Sequence, residues 1–325
     1  MSEIFALAAE NLISPIVLSF ALGLAAALAR SDLSFPEAVA KALSIYLLFS
    51  IGFKGGVSVA EHGVDVSLGL SLLAGIVLSG ALPFLAFLLL RLMSRMDRLN
   101  AAAVAGHYGS ISIVTFVAAS SVLAGRGIAA EGYMVAVAAA MEAPAILSAL
   151  WLVSRGGGFS RMDSALWREV LLNGSIVLLV GAFLIGWVTG PEGLAEIESF
   201  IVTPFKGVLC LFLLDMGLLA GRGMQSGRKA LGLGSIAFGL LMPILGSVLG
   251  LAAALALGLS TGGAMLMMTL SASASYIAVP AAMRVALPEA NPSIYLTLSL
   301  GVTFPFNLVL GIPIYLAMAQ AATGA

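Results

Sequence analysis

The sequence predicts an all-α membrane protein of ten transmembrane helices, built as two inverted five-helix repeats with broken, crossing helices 4 and 9. Three observations carry this. The 325-residue chain is 61% hydrophobic and only 10% charged, against roughly 25% charged in soluble domains. Apolar runs of about the 20 residues that a spanning helix needs recur along its whole length. Two polar stretches, 106–116 and 271–284, interrupt that pattern at equivalent places in the two halves.

In chain order, span one is expected from Leu12 to Ala29 and span two from Pro36 to Phe53, joined by the capping turn Arg30-Ser-Asp-Leu-Ser-Phe-Pro36. Span three covers Leu68 to Leu90. Span four, Ala101 to Leu123, contains Gly106-His-Tyr-Gly-Ser-Ile-Ser112, and span five, Tyr133 to Val153, contains Met141-Glu-Ala-Pro144. The second half repeats the plan, with spans near 170–188, 201–220, 231–257, 264–284 and 294–318. Between the halves lies only the Gly-rich linker Ser154-Arg-Gly-Gly-Gly-Phe-Ser-Arg-Met-Asp163, so the repeats are read as 1–160 and 161–325. Lys54 and Asp215, Ser110 and Ser275, and Pro144 and Pro305 correspond at offsets of about 160 to 165, as an internal repeat gives. Five spans per half is an odd number, which sends the second copy into the membrane from the other side.

Orientation follows from the arginines. Arg91, Arg95 and Arg98, then Arg155, Arg161 and Arg168, then Arg222, Arg228 and Lys229 occupy loops after the third, fifth and seventh spans, with Arg30 and Arg284 after the first and ninth. All fall on one side, and the opposite loops carry Arg126 alone. The positive-inside rule then places both termini outside. Met1-Ser-Glu-Ile-Phe has no basic segment before the first apolar run, so no cleaved secretory signal is expected. The single Cys210 lies in an apolar run and is read as packing.

Backbone leaves the helical pattern at mid-membrane depth only where it is buried in protein or lines a wet cavity. Ser271-Ala-Ser-Ala-Ser-Tyr-Ile-Ala-Val-Pro280, with serines at every second position and a proline, is such a departure, and it implies a site. A fresh helix break offers amides that suit an anion and carbonyls that suit a cation. Two crossing breaks can hold a small anion while carbonyls and hydroxyls coordinate Na+. Ser110, Ser112, Ser273 and Ser275 supply hydroxyls that donate and accept. No Lys or Arg lies in either stretch before Arg284, which favours a monovalent anion neutralised by a co-bound cation over a phosphate or dicarboxylate. The competing reading is packing, since serines and small residues are common at helix contacts in membranes.

Glu142 in span five is a candidate for cation coordination or for fixing the crossing, and Asp215 in span seven for a structural pair with Lys54 or Lys206. His107 reads as a hydrogen-bonded scaffold residue beside Tyr108, and Asn307 as a bond to the opposite crossing. Phosphate-loop, zinc-hydrolase and serine-hydrolase motifs are absent, as is a basic face for nucleic acid. Neither an enzyme nor an ATP-driven pump is expected, and no cofactor beyond Na+ as coupling ion.

At these residues the sequence resembles the SbtA-type sodium-dependent bicarbonate transporters. The likeness is carried by Ser273-Ala-Ser-Tyr-Ile-Ala-Val-Pro-Ala-Ala-Met-Arg284, Ala290-Asn-Pro-Ser-Ile-Tyr295 and Gly311-Ile-Pro-Ile-Tyr-Leu-Ala-Met-Ala-Gln320, with Gly106 to Ser112 and Met141-Glu-Ala-Pro144 in the first half. The resemblance implies an elevator-type Na+/bicarbonate symporter of a bacterial inner membrane, usually a homotrimer, in contact with membrane lipid. By position, the substrate ligands are Gly109, Ser110, Ser112, Ser273, Ala274 and Ser275. The sodium ligands expected are Ser110, Ser112, Ser271 and Ser275 of these stretches, joined by Glu142 and Asn307 as the polar groups inside spans five and ten. The sequence departs from the cyanobacterial pattern at Tyr276 and Glu142, where that pattern has an acidic residue and aspartate. Its short linker leaves regulation by a PII-like partner open. Symport of another small organic anion and cation/proton antiport through Glu142 and Asp215 are the alternatives.

Overall fold

The structure, a computed structural model, describes residues 12–63, 66–154, 172, 174–227, 231–276, 279–280, 283 and 287–324. Among these the regular secondary structure is all helical, without strands. The linker between the halves, and Arg284, lie outside the described residues. The helices are α1 (Pro15–Leu28), α2 (Glu37–His62), α3 (Val66–Met93), α4 (Arg98–Gly109), α5 (Ile113–Gly125), α6 (Met134–Ala140), α7 (Glu142–Ser154), α8 (Gly174–Ile201), α9 (Phe205–Gly227), α10 (Leu233–Leu257), α11 (Thr261–Ala272) and α12 (Pro292–Thr323). Among the described residues eight helical segments are long and apolar enough to cross a membrane, the pairs α4–α5 and α6–α7 each counting as one, and α1 is a shorter apolar helix.

Side-chain caps set several starts. The Val17 amide donates to Ser14 Oγ at 3.3 Å, with Pro15 at the first helical position, where its missing N–H costs nothing. Asp97 caps α4 by accepting from the Asn100 amide at 3.0 Å, and Ser260 caps α11 by accepting from the Gly263 amide at 3.1 Å.

Two groups of helices result. In the first, α2 lies along α8 and α1 along α9, the most extensive helix pairings in the molecule. Both pairings depend on glycine. A Cβ on Gly56 would overlap the Phe183 carbonyl oxygen, and one on Gly186 the Phe53 carbonyl oxygen. Across the other pairing, Gly217 meets the Phe20 carbonyl and Gly23 the Leu214 carbonyl in the same way. Gly52-x-x-x-Gly56 and Gly217-x-x-x-Gly221 therefore form equivalent surfaces, each letting backbones approach without lipid between them. In the second group, α3 packs on α4, α10 on α11, and α4 on α7, with α12 along α11. Residues 101–109 of α4 and 262–272 of α11 are buried on all sides, as helices enclosed by a bundle must be.

Several boundaries differ from the sequence expectation. Span five is present as one segment over Met134–Val153, with a local irregularity at Met141, whose carbonyl accepts from Ser79 Oγ at 2.5 Å. The segment from Pro191, expected as a loop, is helical and continues α8 after a kink at Gly190, which has φ 60°. Proline at the start of the new turn needs no N–H partner, and glycine adopts the positive φ without strain. Span ten widens into π-helix over Thr297–Thr303 and Asn307–Gly311, shortly before Pro305 and Pro313, whose rings cannot fit the ordinary i−4 pattern.

Candidate functional site

Both polar stretches break their helices. α4 ends at Gly109, and Ser110 leaves with φ −85° and ψ 168°; α11 ends at Ala272, and Ser273 leaves with φ −90° and ψ 167°. The two exits, 163 residues apart, share one backbone geometry. After the first, Ser112 caps α5, its Oγ accepting from the Thr115 amide at 3.2 Å and from Thr115 Oγ1 at 2.9 Å. The breaks are joined directly. The Ser112 amide donates to Ser273 Oγ at 2.9 Å, and the Ser275 amide donates to the His107 carbonyl at 2.8 Å.

Glu142 opens α7 beside this junction, accepting from Ser110 Oγ at 3.2 Å. It is buried, 6% exposed, and has no ion-pair partner among the described residues. Taking a lone carboxylate out of water costs several kcal/mol, and a cation bound beside it offsets that cost. Carbonyl ends of α4 and α11 point the same way electrically, since a helix C-terminus carries partial negative charge. Ser271 Oγ is buried without a hydrogen-bond partner, and the buried Tyr276 hydroxyl lies toward Ser112. Among the described residues the junction therefore combines a carboxylate, two carbonyl-bearing helix ends and several buried hydroxyls with no Lys or Arg, a donor set that suits Na+, while hydroxyls that both donate and accept suit a small oxyanion.

Two cavities approach the junction from opposite ends of α2 and α9. One, about 520 Å³, runs past Glu37 and Gly223 to Tyr276 and Pro280. The other, about 440 Å³, runs from Thr203 and Lys206 to Phe116 and Leu266, within about one helical turn of Ser112.

A family model described as the Na+-dependent bicarbonate transporter superfamily matches residues 15–320. The chain belongs to that superfamily. No curated protein matches the chain. Membership in this transporter superfamily agrees with a multi-pass membrane protein and with bicarbonate and sodium as the transported species of the family.

Within this superfamily member the structure brings Gly109, Ser110, Ser112, Ser273, Ala274, Ser275 and Glu142 to one junction, with Ser271 a turn behind it. Asn307 does not reach the opposite crossing. Its Nδ2 donates to the Ala272 carbonyl at 2.9 Å and its Oδ1 accepts from the Tyr315 hydroxyl at 2.7 Å, because α12 packs along α11 of its own half. Asp215 likewise pairs with neither Lys54 nor Lys206; Arg222, two turns along α9, is the cation that acts on it. His107 Nδ1 is bonded to the Ala103 carbonyl at 2.7 Å and its ring stacks on Tyr295 at 4.4 Å, a scaffold role in which the His107 carbonyl, not its ring, meets the second break.

Sequence reasoning missed the Tyr108 hydroxyl, which meets Thr303 Oγ1 at 2.6 Å and ties α4 to α12. Its signal was a polar aromatic inside an apolar span, where a buried hydroxyl needs a partner. Ser273→Ala leaves the Ser112 amide unpaired, and a loss of about 1–3 kcal/mol is expected. The fall in melting temperature of the purified protein measures it.

Proposed function

We propose that this protein is a Na+-coupled bicarbonate symporter working by an elevator mechanism, in which the α3–α7 and α10–α12 group carries the site past the α1, α2, α8, α9 group. The observation that carries the reading is the junction of two helix breaks around an unpaired Glu142, with Ser110 on its carboxylate and Ser112 bonded to Ser273. Na+ beside the carboxylate and carbonyl ends creates the positive charge that a monovalent anion needs where the described residues bring no Lys or Arg. Separate cavities on the two sides of the junction are the approaches that alternating access requires.

The ten-span inverted repeat is supported by the equivalent glycine surfaces of α2 and α9, by the matching exits at Ser110 and Ser273, and by the symmetric pairing of α2 with α8 and α9 with α1. The count takes α1 as span one, and α11 together with the segment after it as span nine. A bacterial inner membrane, both termini outside and a homotrimer complete the proposal; apolar side chains such as Leu73, Val77, Leu88 and Val248 are exposed and meet lipid or neighbouring copies.

The test is uptake of labelled bicarbonate into proteoliposomes with and without an inward Na+ gradient. Na+-dependent uptake that Ser110→Ala and Ser275→Ala each lower about tenfold, by loss of about one hydrogen bond to a charged partner, supports the reading. Gradient-driven uptake of a short carboxylate instead of bicarbonate moves the substrate. Cation flux that follows pH and needs no anion replaces symport with antiport, the reading that a buried carboxylate without a partner also favours.

A further inference from the structure

The 440 Å³ cavity holds charge that the junction does not use. Lys54, half-buried eight residues before the end of α2, contributes an ammonium lying 4.0 Å over the Phe205 ring, and Lys206 stands exposed at the rim on the first turn of α9. Neither forms an ion pair among the described residues. The lining holds one carboxylate against these two lysines. That carboxylate, Glu131, is held by Ser260, its Oε1 accepting from the Ser260 amide at 2.7 Å and its Oε2 from Ser260 Oγ at 3.0 Å, and it offsets one of the two positive charges. An aromatic face stabilises an ammonium without neutralising it. The cavity thus keeps an excess of positive charge in a cleft with low-dielectric walls, on the side where basic residues are otherwise scarce.

We propose that this cavity is an anion-collecting vestibule, in which Lys54 and Lys206 hold a small oxyanion such as bicarbonate before it reaches the helix junction. The size fits a hydrated ion: at about 30 Å³ per water the space takes about fifteen molecules, so the anion keeps most of its shell. Ser121 and Thr203 on the wall supply hydroxyls, and the inner end at Phe116 and Leu266 stops within about a turn of Ser112. Collection and final binding are then separate events. At Lys54 and Lys206 the anion is attracted while wet; at the junction it sheds water against amides and co-bound Na+.

The direction of travel rests on the symport reading above, so the experiment has two independent arms. In proteoliposomes holding the full chain, the double variant Lys54→Gln, Lys206→Gln is expected to raise the bicarbonate KM about three- to tenfold with Vmax retained, while Lys54→Arg, Lys206→Arg keeps the KM. External potassium gluconate raises the wild-type KM toward that of the double variant by screening. For charge rescue, Lys206→Cys in a Cys210→Ser background regains a low KM with aminoethyl methanethiosulfonate, which restores an ammonium, and not with neutral methyl methanethiosulfonate. An unchanged KM in the double glutamine variant, or equal rescue by the neutral reagent, overturns the vestibule.

The second arm needs no transport. In sodium-free buffer, potassium bicarbonate raises the melting temperature of detergent-purified wild type over potassium gluconate. It does the same for Ser110→Ala, Ser275→Ala, and has no such effect on the double glutamine variant. A rise with no uptake sinks the symport reading and supports the vestibule; uptake with no rise in wild type does the reverse.

Discussion

Glu142→Gln is expected to uncouple the protein from sodium, raising the half-saturating Na+ concentration for uptake by about a hundredfold. A unit charge pair at about 4 Å is worth about 4 kcal/mol at an effective dielectric constant of 20, and partial desolvation of the ion takes back part of that. The amide keeps the shape of the side chain and still accepts from Ser110 Oγ, so the change isolates charge from hydrogen bonding. Stability gives an opposite sign. In sodium-free buffer Glu142→Gln melts above wild type, because it no longer buries an unpaired carboxylate; with sodium the order reverses, since only wild type gains from the bound ion. Uptake assays across a sodium series and melting curves with and without sodium measure both. Retained sodium affinity in the glutamine variant places the ion elsewhere.

Gly56→Val is expected to cost more than about 3 kcal/mol and to remove most of the protein from the membrane fraction. Helix propensity alone predicts the contrary, since replacing glycine inside a helix gains up to about 1 kcal/mol with alanine. The space decides. A Cβ at Gly56 overlaps the Phe183 carbonyl oxygen and comes to 2.6 Å from the Trp187 amide nitrogen, both backbone atoms of α8 that move only if the helices part. Gly181→Ala, on the same helix pair with nothing within 4 Å, is the control and keeps or gains stability. Expression in membranes and detergent melting temperature separate the two. Equal behaviour of both variants sinks the close-packing account.

The places where the helices break were legible in the sequence because physics there leaves few choices. Serines at every second position inside an apolar run cannot face lipid, so the interruptions at Ser110 and Ser273 were readable before any geometry. Glu142 was readable for the same reason. The partner of each side chain was not. Asp215 and Lys54 correspond by offset, yet offset says nothing about which face of α9 meets α2, and among the described residues the two form no ion pair. Asn307 was assigned to the wrong break because the pairing of α12 with α11 is a tertiary fact. Pro191-Glu-Gly-Leu-Ala-Glu196 has the composition of a loop, and its helical state depends on proline falling at the first turn after Gly190. The glycine spacings of α2 and α9 were present in the sequence and were the stronger sign of the repeat than the offsets of polar residues.

The paired cavities have an electrical consequence. In the proposed transport cycle, electrolyte entering each cavity carries the bulk potential inward, so the membrane voltage falls mainly across the protein between Phe116 and Tyr276. Field strength there exceeds that of the surrounding bilayer, and each uncompensated elementary charge crossing it exchanges about 2.3 kcal/mol per 100 mV. A cargo of one cation with one anion crosses almost indifferent to voltage, whereas any extra sodium makes the cycle a current.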